Sequence, residues 1–382
     1  MMNPDKYFPT NVIKLARGIK QIAKKGDVDQ IVLYLRGVGT EGGVRGLIAR
    51  ATGYDVELNV YQAYQFITDN YQRDDHVFLF GFSRGAYSVR LLAGFIDAVK
   101  VIPKHRMHEF ADIYECYKSR NNKYGEDFSG LSQRSPGPDG EVMTIPIWFL
   151  GVWDTVTTTG LPDEEDEKKI GHPLIDAVPS NVHYAYQALA LHELRKLFKP
   201  RVWTARRNEG SIVEQTWFPG AHSDVGGGYK EHELSNIALE WMVDRASEGG
   251  GLEFKDDFFK KIGPIPPPSL PRFFSQVTES IRKGWVYEKQ VRRKCQGIFQ
   301  FKHRSVDARL ACTWTYEDHQ KEFKEVDERT DLKLMEDGKD CVSVTTELKD
   351  YLHYLGQERT KERMENLAKK RGKPILLKRH GK

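Results

Sequence analysis

One segment sets the architecture of this chain, and it reads His76-Val77-Phe78-Leu79-Phe80-Gly81-Phe82-Ser83-Arg84-Gly85-Ala86-Tyr87-Ser88-Val89-Arg90. Residues 77–80 form an apolar, aromatic run that is too short for a helix and typical of a strand buried on both faces. A G-x-S-x-G turn follows, and the apolar residues after it recur at helical spacing. Strand, tight turn and helix in this order predict a nucleophile elbow, in which Ser83 stands on a strained turn.

The two glycines of this turn have an expected physical role. Side chains at Gly81 and Gly85 are expected to collide with the adjoining strand and helix. A G-x-S-x-G match is weak by itself, because Gly and Ser are common and a chain of this size matches by chance about once in ten. The alternative is a plain glycine turn that joins a strand to a helix, and the motif alone leaves it open.

Two further segments place titratable residues directly after apolar runs. Residues 145–152 predict a buried strand that ends beside Asp154, and residues 213–218 predict a strand that leads into His222 in a glycine-rich loop. In open α/β sheets, catalytic groups gather at the carboxyl ends of strands. A serine nucleophile needs a base, and the base needs an acid that orients it. The order Ser83, Asp154, His222 is that of α/β-hydrolases, so we expect nucleophile, acid and base in that order.

Alternatives to these roles remain at this point. Asp154 taken alone has the position of a turn or N-cap aspartate. Asp224 is a competing acid, although its place two residues from His222 suits it better to shaping the loop. One oxyanion donor is expected to be the backbone N–H of Arg84. The second is expected from the glycine-rich loop that begins at Gly37, which reads equally well as a flexible turn.

The rest of the first 311 residues predicts alternating helices and strands. A helix is expected after Thr10 or Asn11 as N-cap, a strand over 31–35, and helices over 59–70, 181–198 and 235–246. Residues 101–141 are polar and weakly periodic, with a surface loop at 135–140. The expected fold class is therefore α/β, with a mostly parallel sheet flanked by helices.

Bulk composition narrows the class of protein. The 382 residues suffice for one large α/β domain or two smaller ones. The four cysteines lie far apart without a C-x-x-C pair, which argues against a zinc ribbon or a disulfide scaffold and suits a reducing compartment. The sequence shows no apolar N-terminal stretch and no run of 18 apolar residues, so neither a signal peptide nor a membrane span is indicated and a cytoplasmic location is expected. No cofactor and no metal are expected.

The positive charge is a property of the C-terminus. Net charge is +4, and residues 369–382 alone hold seven Lys and Arg residues and no acid. The body of the chain is therefore slightly acidic, and no specific nucleic acid is expected as a partner. Residues 312–382 are expected to form a charged extension that is partly helical and ends in a disordered basic tail. The tail suits either peripheral contact with an anionic membrane or a solvated or nuclear-import role.

Three blocks of the sequence resemble the signature blocks of one hydrolase family. They read Gly81-Phe82-Ser83-Arg84-Gly85-Ala86-Tyr87, Gly151-Val152-Trp153-Asp154-Thr155-Val156 and Trp217-Phe218-Pro219-Gly220-Ala221-His222-Ser223-Asp224-Val225-Gly226-Gly227-Gly228-Tyr229. The family is the hydrolase domain of the first class of type VI secretion phospholipase effectors, which many fungal proteins share. The resemblance covers about residues 9–310. It implies an α/β-hydrolase with Ser83, Asp154 and His222 as its triad, acting on esters and, in bacterial members, on phospholipids.

The chain departs from the family pattern in two places. The family commonly begins with a strand that ends in an Asp-Gly-Thr block just before Pro9-Thr10-Asn11-Val12, and this chain lacks that strand. Either the sequence is an incomplete gene product, or the sheet is expected to lack its first strand and, with it, an oxyanion donor. The second departure is Leu191-His192-Glu193-Leu194-Arg195, where the family commonly has Leu-Asp-Glu-His-Arg, and it lies outside the triad.

Two functions of different classes follow from these observations. The first is a serine esterase or lipase that cleaves carboxylic esters, phospholipids included, through an acyl-enzyme on Ser83. The second is a catalytically inactive, hydrolase-like interaction module, which the missing first strand favours. Labelling by a fluorophosphonate probe separates the two, because it requires an activated serine and no known substrate.

Overall fold

The central element of the structure is a parallel sheet. The structure is a computed structural model, and it describes residues 8–23, 28–37, 54–119, 145–156, 173–193, 195, 198–230, 232–258 and 298–303. The strands are β1 (Val77–Phe82), β2 (Ile147–Trp153), β3 (Val182–Ala190), β4 (Ile212–Phe218) and β5 (Gln300–Lys302). They lie side by side in chain order, and each neighbouring pair is parallel. The carboxyl ends of all five strands therefore meet at one edge of the sheet.

Helices cover both faces of this sheet. The α-helices among the described residues are α1 (Asn11–Gly18), α2 (Tyr54–Asn70), α3 (Arg84–Val99), α4 (Phe110–Ser119), α5 (His222–Gly226) and α6 (Glu233–Glu248). Two 3₁₀ helices span Lys104–Glu109 and Pro173–Asp176. Short two-residue ladders join Ile22–Ala23 to Val28–Asp29 and Ala177–Val178 to Ala205–Arg206. None of the described helices is long and apolar enough to cross a membrane.

The core consists of two apolar layers, one on each face of the sheet. On one face, helices α2, α3 and α4 pack buried side chains such as Tyr64, Leu91 and Phe95 against the strands. On the other face, α1 and α6 supply Leu15 and Met242, among others. Because both faces are covered, β1 and β2 are apolar along their length instead of alternating. The helix–sheet–helix sandwich confirms the α/β class expected from the sequence, which is that of an α/β-hydrolase.

Most sequence-based elements are confirmed with small shifts of their ends. β1 extends to Phe82, β2 ends at Trp153, and α2 begins at Tyr54 instead of residue 59. Thr10 occupies the N-cap position of α1 but makes no side-chain cap hydrogen bond. The C-terminal part of α6 continues to Glu248. Element ends are the least certain part of any pattern-based prediction, because fraying and packing decide them.

The prediction of a helix over 181–198 is wrong. The first half of this segment is β3, the strand in the middle of the sheet, and it pairs with β2 on one side and β4 on the other. Its residues are buried almost without interruption from Ala185 to Ala190. A continuous apolar run of this kind satisfies helical spacing as well, so periodicity cannot distinguish a two-sided strand from a buried helix. The segment lies in the middle of the sheet and pairs with a strand on each side, so it forms a strand.

The prediction of a strand over 31–35 is also wrong. This segment joins no ladder among the described residues, and Ile31 remains 65% exposed. A strand needs a neighbour that accepts its backbone hydrogen bonds, and propensity alone does not supply one. A cavity of about 1880 Å³ is lined both by this segment and by β1, which forms one edge of the described sheet.

The first part of the polar, weakly periodic segment 101–141 contains helices that the sequence analysis did not predict. The 3₁₀ helix at Lys104–Glu109 leads directly into α4, whose apolar residues Phe110, Ile113 and Tyr117 are buried. Aromatic residues spaced by three and four positions form the buried face of this helix. The polar residues around them make this pattern hard to recognise in the sequence. The surface loop at 135–140, the loop at 38–43 and the extension at 312–382 lie outside the described residues, so those predictions remain predictions.

Candidate active site

Ser83 lies on the sharp turn between β1 and α3. Its backbone has φ 60° and ψ −125°, a region that residues with a side chain rarely adopt. Its backbone N–H donates to Trp153 O at 3.0 Å, so the turn is tied to the end of β2. A strained residue at the carboxyl end of a buried strand, immediately before a helix, has the geometry of a nucleophile elbow.

The two elbow glycines differ in the space around them. A Cβ atom at Gly81 would lie 2.4 Å from the carbonyl oxygen of Gly85 and 2.6 Å from Cα of Ala86. The helix backbone thus presses against the strand at this point, and the expected role of Gly81 agrees with the geometry. At Gly85, in contrast, a Cβ atom would meet nothing within 4 Å, so the expected collision there is wrong for the described residues.

Asp154 occupies the turn directly after β2. Its backbone N–H donates to Ala188 O at 2.7 Å and its φ is 39°, a second strained residue at this edge of the sheet. The carboxylate is fully buried, and its Oδ1 accepts from the backbone N–H of Ala190 at 3.0 Å. The end of β3 therefore fixes the carboxylate, with Oδ2 directed to a second partner.

His222 is that second partner, and it begins the short helix α5 after β4. Its Nδ1 lies 2.7 Å from Asp154 Oδ2, and its Nε2 lies 2.8 Å from Ser83 Oγ. His222 is 4% exposed, and its imidazole contacts two aromatic rings, with centroid distances of 4.5 Å to Phe82 and 4.8 Å to Phe198. Residues that the sequence separates by 139 positions are thus joined in one hydrogen-bonded chain.

This geometry assigns one tautomer to the imidazole. Because the Asp154 carboxylate only accepts hydrogen bonds, Nδ1 of His222 donates to it. Nε2 is then the lone-pair side and accepts from the hydroxyl of Ser83. A neutral histidine in this orientation can take the serine proton when the oxygen attacks an electrophile, and the carboxylate stabilises the resulting imidazolium.

The competing acid Asp224 lies in α5, two residues after His222, and its carboxylate contacts the backbone of Ala221. Its Oδ2 accepts from the backbone N–H of Ala221 at 2.9 Å, which caps the start of α5. Gly220 has φ 107°, and a Cβ atom there would lie 2.5 Å from Cβ of Asp224. Asp224 therefore shapes the tight approach of the loop, and the carboxylate in contact with the imidazole is that of Asp154.

The candidate oxyanion donors are only partly placed. Arg84 is the first residue of α3 and directly follows Ser83. Gly37 is exposed and lines the cavity beside β1. The remainder of the loop after it lies outside the described residues. Within the described ranges, no group of three or more His, Cys, Asp or Glu side chains is placed to hold a metal ion.

The sequence analysis missed the role of two residues, Asn11 and Glu193, that bind the backbone around His222. Asn11 is fully buried, and its Nδ2 donates to Val225 O at 2.9 Å and to Ser235 O at 2.8 Å, which ties α1 to α5 and α6. Glu193, 1% exposed, accepts from the backbone N–H of His222 at 3.2 Å. The signal for Glu193 was a charged residue soon after an apolar run, which the helix prediction over 181–198 concealed.

Comparison with known proteins places this geometry in a family. A family model described as the catalytic domain of Tle1-like phospholipase effectors of the type VI secretion system (T6SS) matches residues 2–245. An uncharacterised protein of Saccharomyces cerevisiae is 27% identical over 172 residues, which are 40% of this chain and 24% of the yeast protein. The chain thus spans about a quarter of the length of this curated relative.

One solved structure is also similar, that of the Tle1 effector bound to the VgrG spike of the type VI secretion system. It is 23% identical, and the match covers 60% of this chain and 42% of that chain with a TM-score of 0.33.

Proposed function

The chain belongs to the family of T6SS Tle1-like phospholipase effector catalytic domains, and from this premise we propose that it is a serine hydrolase. Membership in this family indicates lipase or phospholipase chemistry in general. The proposal goes further, to cleavage of carboxylic esters, phospholipids among them, through an acyl-enzyme on Ser83. In this proposal Asp154 is the acid and His222 the base.

The observation that carries the proposal is the hydrogen-bonded chain from Asp154 through His222 to Ser83. Its two links measure 2.7 Å and 2.8 Å, within the range that proton transfer requires. The carboxylate is fully buried and the imidazole nearly so, and bulk water therefore does not compete for these hydrogen bonds. An exposed arrangement of the same residues would carry far less weight.

The proposed reaction has two halves that share one base. Ser83 Oγ attacks the ester carbonyl carbon while its proton moves to Nε2 of His222. The intermediate then collapses, the bond to the leaving oxygen breaks, and that oxygen takes the proton from Nε2 and departs as the alcohol. Water then attacks the acyl-enzyme and gives a proton to the same nitrogen. When this second intermediate collapses, the bond from Ser83 Oγ to the acyl carbon breaks, Oγ takes the proton back from Nε2, and the carboxylic acid leaves. The backbone N–H of Arg84 is the proposed donor to the oxyanion in both halves.

A lipid or another ester with an apolar acyl group suits the surroundings of this chain of residues. Phe82 and Phe198 both contact the imidazole that meets Ser83 Oγ. Burying each methylene of an acyl chain contributes about 0.8 kcal/mol, so an acyl group that packs against these rings is expected to bind more tightly when it is long.

Partitioning of the acyl group tests the proposed intermediate. Esters of one acid with different leaving alcohols are hydrolysed in the presence of methanol, and the ratio of methyl ester to free acid is measured. A common acyl-enzyme predicts the same ratio for every leaving group, because the leaving alcohol has departed before the second half begins. Ratios that follow the leaving group would contradict the acyl-enzyme, as would full hydrolysis by the Ser83→Ala variant.

One observation favours the second candidate, a hydrolase-like interaction module without activity. Strand β1 is an edge of the described sheet, and the cavity along it is lined by apolar residues of α1 and α2. An open sheet edge can pair with another chain. Absence of fluorophosphonate labelling in the folded protein would favour this candidate over the hydrolase.

A further inference from the structure

The segment after β3 contains a charged pair that contacts the histidine loop. Glu193 accepts from the backbone N–H of His222 through Oε2 at 3.2 Å. Oε1 of Glu193 accepts from the backbone N–H and from the Nε of Arg195, each at 2.8 Å. The Nη2 of Arg195 donates to Oε2 at 2.7 Å. The carboxylate thus links the guanidinium on one side to the backbone of the proposed base on the other.

The same pair reaches the imidazole through an aromatic ring. The Arg195 guanidinium lies 3.7 Å from the ring centroid of Phe198, a short cation–π contact. Phe198 in turn meets the His222 ring edge to face, with 4.8 Å between centroids. The imidazole therefore contacts two aromatic rings, that of Phe82 and that of Phe198, and the guanidinium lies over the second.

Two hydrogen bonds between His192 and Gly220 strengthen the link between the segments. His192 N–H donates to Gly220 O at 3.0 Å, and the N–H of Gly220 donates to His192 Nδ1 at 2.7 Å. These two bonds join the end of β3 to the loop before α5. The bond from the backbone N–H of His222 to the Glu193 side chain adds a third link between the same segments, two residues after Gly220.

The pair is largely removed from water. The side chain of Glu193 is 1% exposed and that of Arg195 is 13% exposed. Burial by itself lowers the pKa of Arg195, but the hydrogen bond and charge of Glu193 outweigh it and raise the pKa, with smaller contributions from Tyr229 and Asp154. A buried pair of this kind is weak evidence for stability, since desolvation offsets the attraction, so another role is worth seeking.

We propose that Glu193 and Arg195 are positioning residues for His222: Glu193 holds its backbone, Arg195 holds Phe198 against its ring, and their opposite charges balance beside the imidazole. This inference rests on the proposed function, in which His222 is the base. Other titratable groups of the described residues lie in the same region: Asp154 contacts the imidazole itself, His192 and Asp224 bind the backbone of Gly220 and Ala221, and Tyr229 acts on Arg195.

Opposite charges give the proposal a signature that a purely structural contact lacks. In Glu193→Gln the positive guanidinium remains near the imidazole and disfavours its protonated form. In Arg195→Met the negative carboxylate remains and favours that form. The midpoint of imidazole protonation should therefore lie lowest in Glu193→Gln and highest in Arg195→Met, with the double variant between them. We expect the midpoints of Glu193→Gln and Arg195→Met to differ by about one pH unit, the order of magnitude that a nearby unit charge produces.

The experiment measures this midpoint in two ways. The acidic limb of the pH profile of kcat/KM is recorded with a soluble short-chain ester, and the His222 ring is titrated by NMR in a Ser83→Ala background. The plateau value of kcat/KM is expected to fall on the order of 10- to 100-fold in both single variants, because the base is less well aligned. Glu193→Asp retains the charge on a shorter side chain, so its plateau should fall while its midpoint stays.

Glu209→Gln is the matched control. Glu209 also pairs with an arginine, Arg206, at 2.7 Å, but it is 87% exposed and precedes β4, at the opposite end of the sheet from Ser83. Its profile and NMR titration should equal those of the wild type.

The two readouts separate failure of this inference from failure of the proposed function. Coinciding midpoints in folded Glu193→Gln and Arg195→Met proteins, with the wild type active, overturn the positioning role alone. An inactive wild type whose NMR midpoints still follow the expected order overturns the hydrolase function and retains the electrostatic link. If both charge variants fail to fold, Glu193→Asp decides, because an unchanged plateau contradicts the proposal.

Discussion

At the scale of single residues, the site is an extension of the sheet's own hydrogen bonds. Ser83 N–H donates to Trp153 O, and Asp154 N–H donates to Ala188 O, each one strand further along. These bonds hold two strained residues, with φ of 60° and 39°, in conformations that cost about 1–3 kcal/mol each. The parallel ladder thus brings the serine and the carboxylate to one edge, where the loop after β4 adds His222.

The residue-scale prediction concerns which aspartate acts on the histidine. Asp154→Asn is expected to lower kcat on the order of 10⁴-fold, because the amide no longer fixes the proper tautomer of His222. Asp224→Asn should act mainly on stability, since Asp224 accepts from Ala221 N and does not contact the imidazole. Steady-state kinetics and thermal unfolding of both variants check this. A crippled Asp224→Asn beside a nearly normal Asp154→Asn, both folded, would reverse the assignment.

His222→Ala should cripple turnover as strongly as Ser83→Ala, and the double variant should be no worse than either. Residues that act as one unit lose their joint contribution when any of them is removed. Additive losses in kcat would show that the two side chains act independently.

At the scale of elements, the nucleophile elbow depends on close packing of α3 against β1 at one glycine. Gly81→Ala is expected to destabilise the protein by about 1–3 kcal/mol or more, because its Cβ would overlap Gly85 O and Ala86 Cα. Gly85→Ala is the matched control, since its Cβ meets nothing within 4 Å. Urea unfolding of both variants measures the difference. Equal losses at the two glycines would contradict the packing described here.

The contact between α1 and α6 carries a pH dependence. Burial lowers the pKa of Lys14 to about 8, an effect that the charge of Glu233 only partly offsets. The unfolded chain keeps the proton up to a pH near 10.5, so between about 8 and 10.5 it binds more protons than the folded protein. The free energy of unfolding should therefore gain a contribution from Lys14 as pH rises through this window.

The variant Lys14→Met removes that contribution, and the difference between variant and wild type isolates it from other titrating groups. The difference is measured by urea unfolding at pH 7.5 and pH 10, and it should shift by up to about 2 kcal/mol in favour of the wild type at the higher pH, after allowance for partial exposure. Lys104→Met, on an exposed side chain, serves as control and should show no such shift. A pH-independent difference for Lys14→Met would contradict the burial of its amine.

The elements also show where sequence reasoning succeeds and fails. β1, β2 and β4 were predictable because short apolar runs ended in recognisable turns. β3 was not, because Ala- and Leu-rich residues buried on both faces fit helical spacing equally well. Since Glu193 and Arg195 follow β3, the misassigned element concealed their relation to His222. The exposed segment 31–35 failed for the opposite reason, because strand propensity cannot guarantee a pairing partner.

At the scale of the whole molecule, the convergence of Ser83, Asp154 and His222 was predictable, and the contacts that support their loops were not. Each triad candidate follows a strand of one parallel sheet, and chain order alone implied convergence. Contacts such as Asn11 with Val225, 214 residues apart, depend on how α1 packs across the sheet, which no local pattern encodes. The family match over residues 2–245 includes both kinds of residue.

The basic tail belongs to this scale, and we propose that it contributes to membrane contact. Deleting residues 369–382 removes seven cations, each contributing about 1 kcal/mol near an anionic surface. Binding to phosphatidylserine-containing vesicles should weaken and lose its salt dependence, while hydrolysis of a soluble ester stays unchanged. Binding to neutral vesicles is the control and should not respond. Unchanged binding to the anionic vesicles would leave the tail without a lipid role.

The central claim is that the contact with His222 activates Ser83 as a nucleophile, and covalent labelling tests it most directly. The folded wild-type protein is treated with a fluorophosphonate probe, digested and mapped by mass spectrometry, with Ser83→Ala and heat-unfolded protein in parallel. The predicted result is one modified peptide that carries the probe on Ser83, absent from both controls. Labelling at another residue, or no labelling of the folded wild type, would contradict the claim.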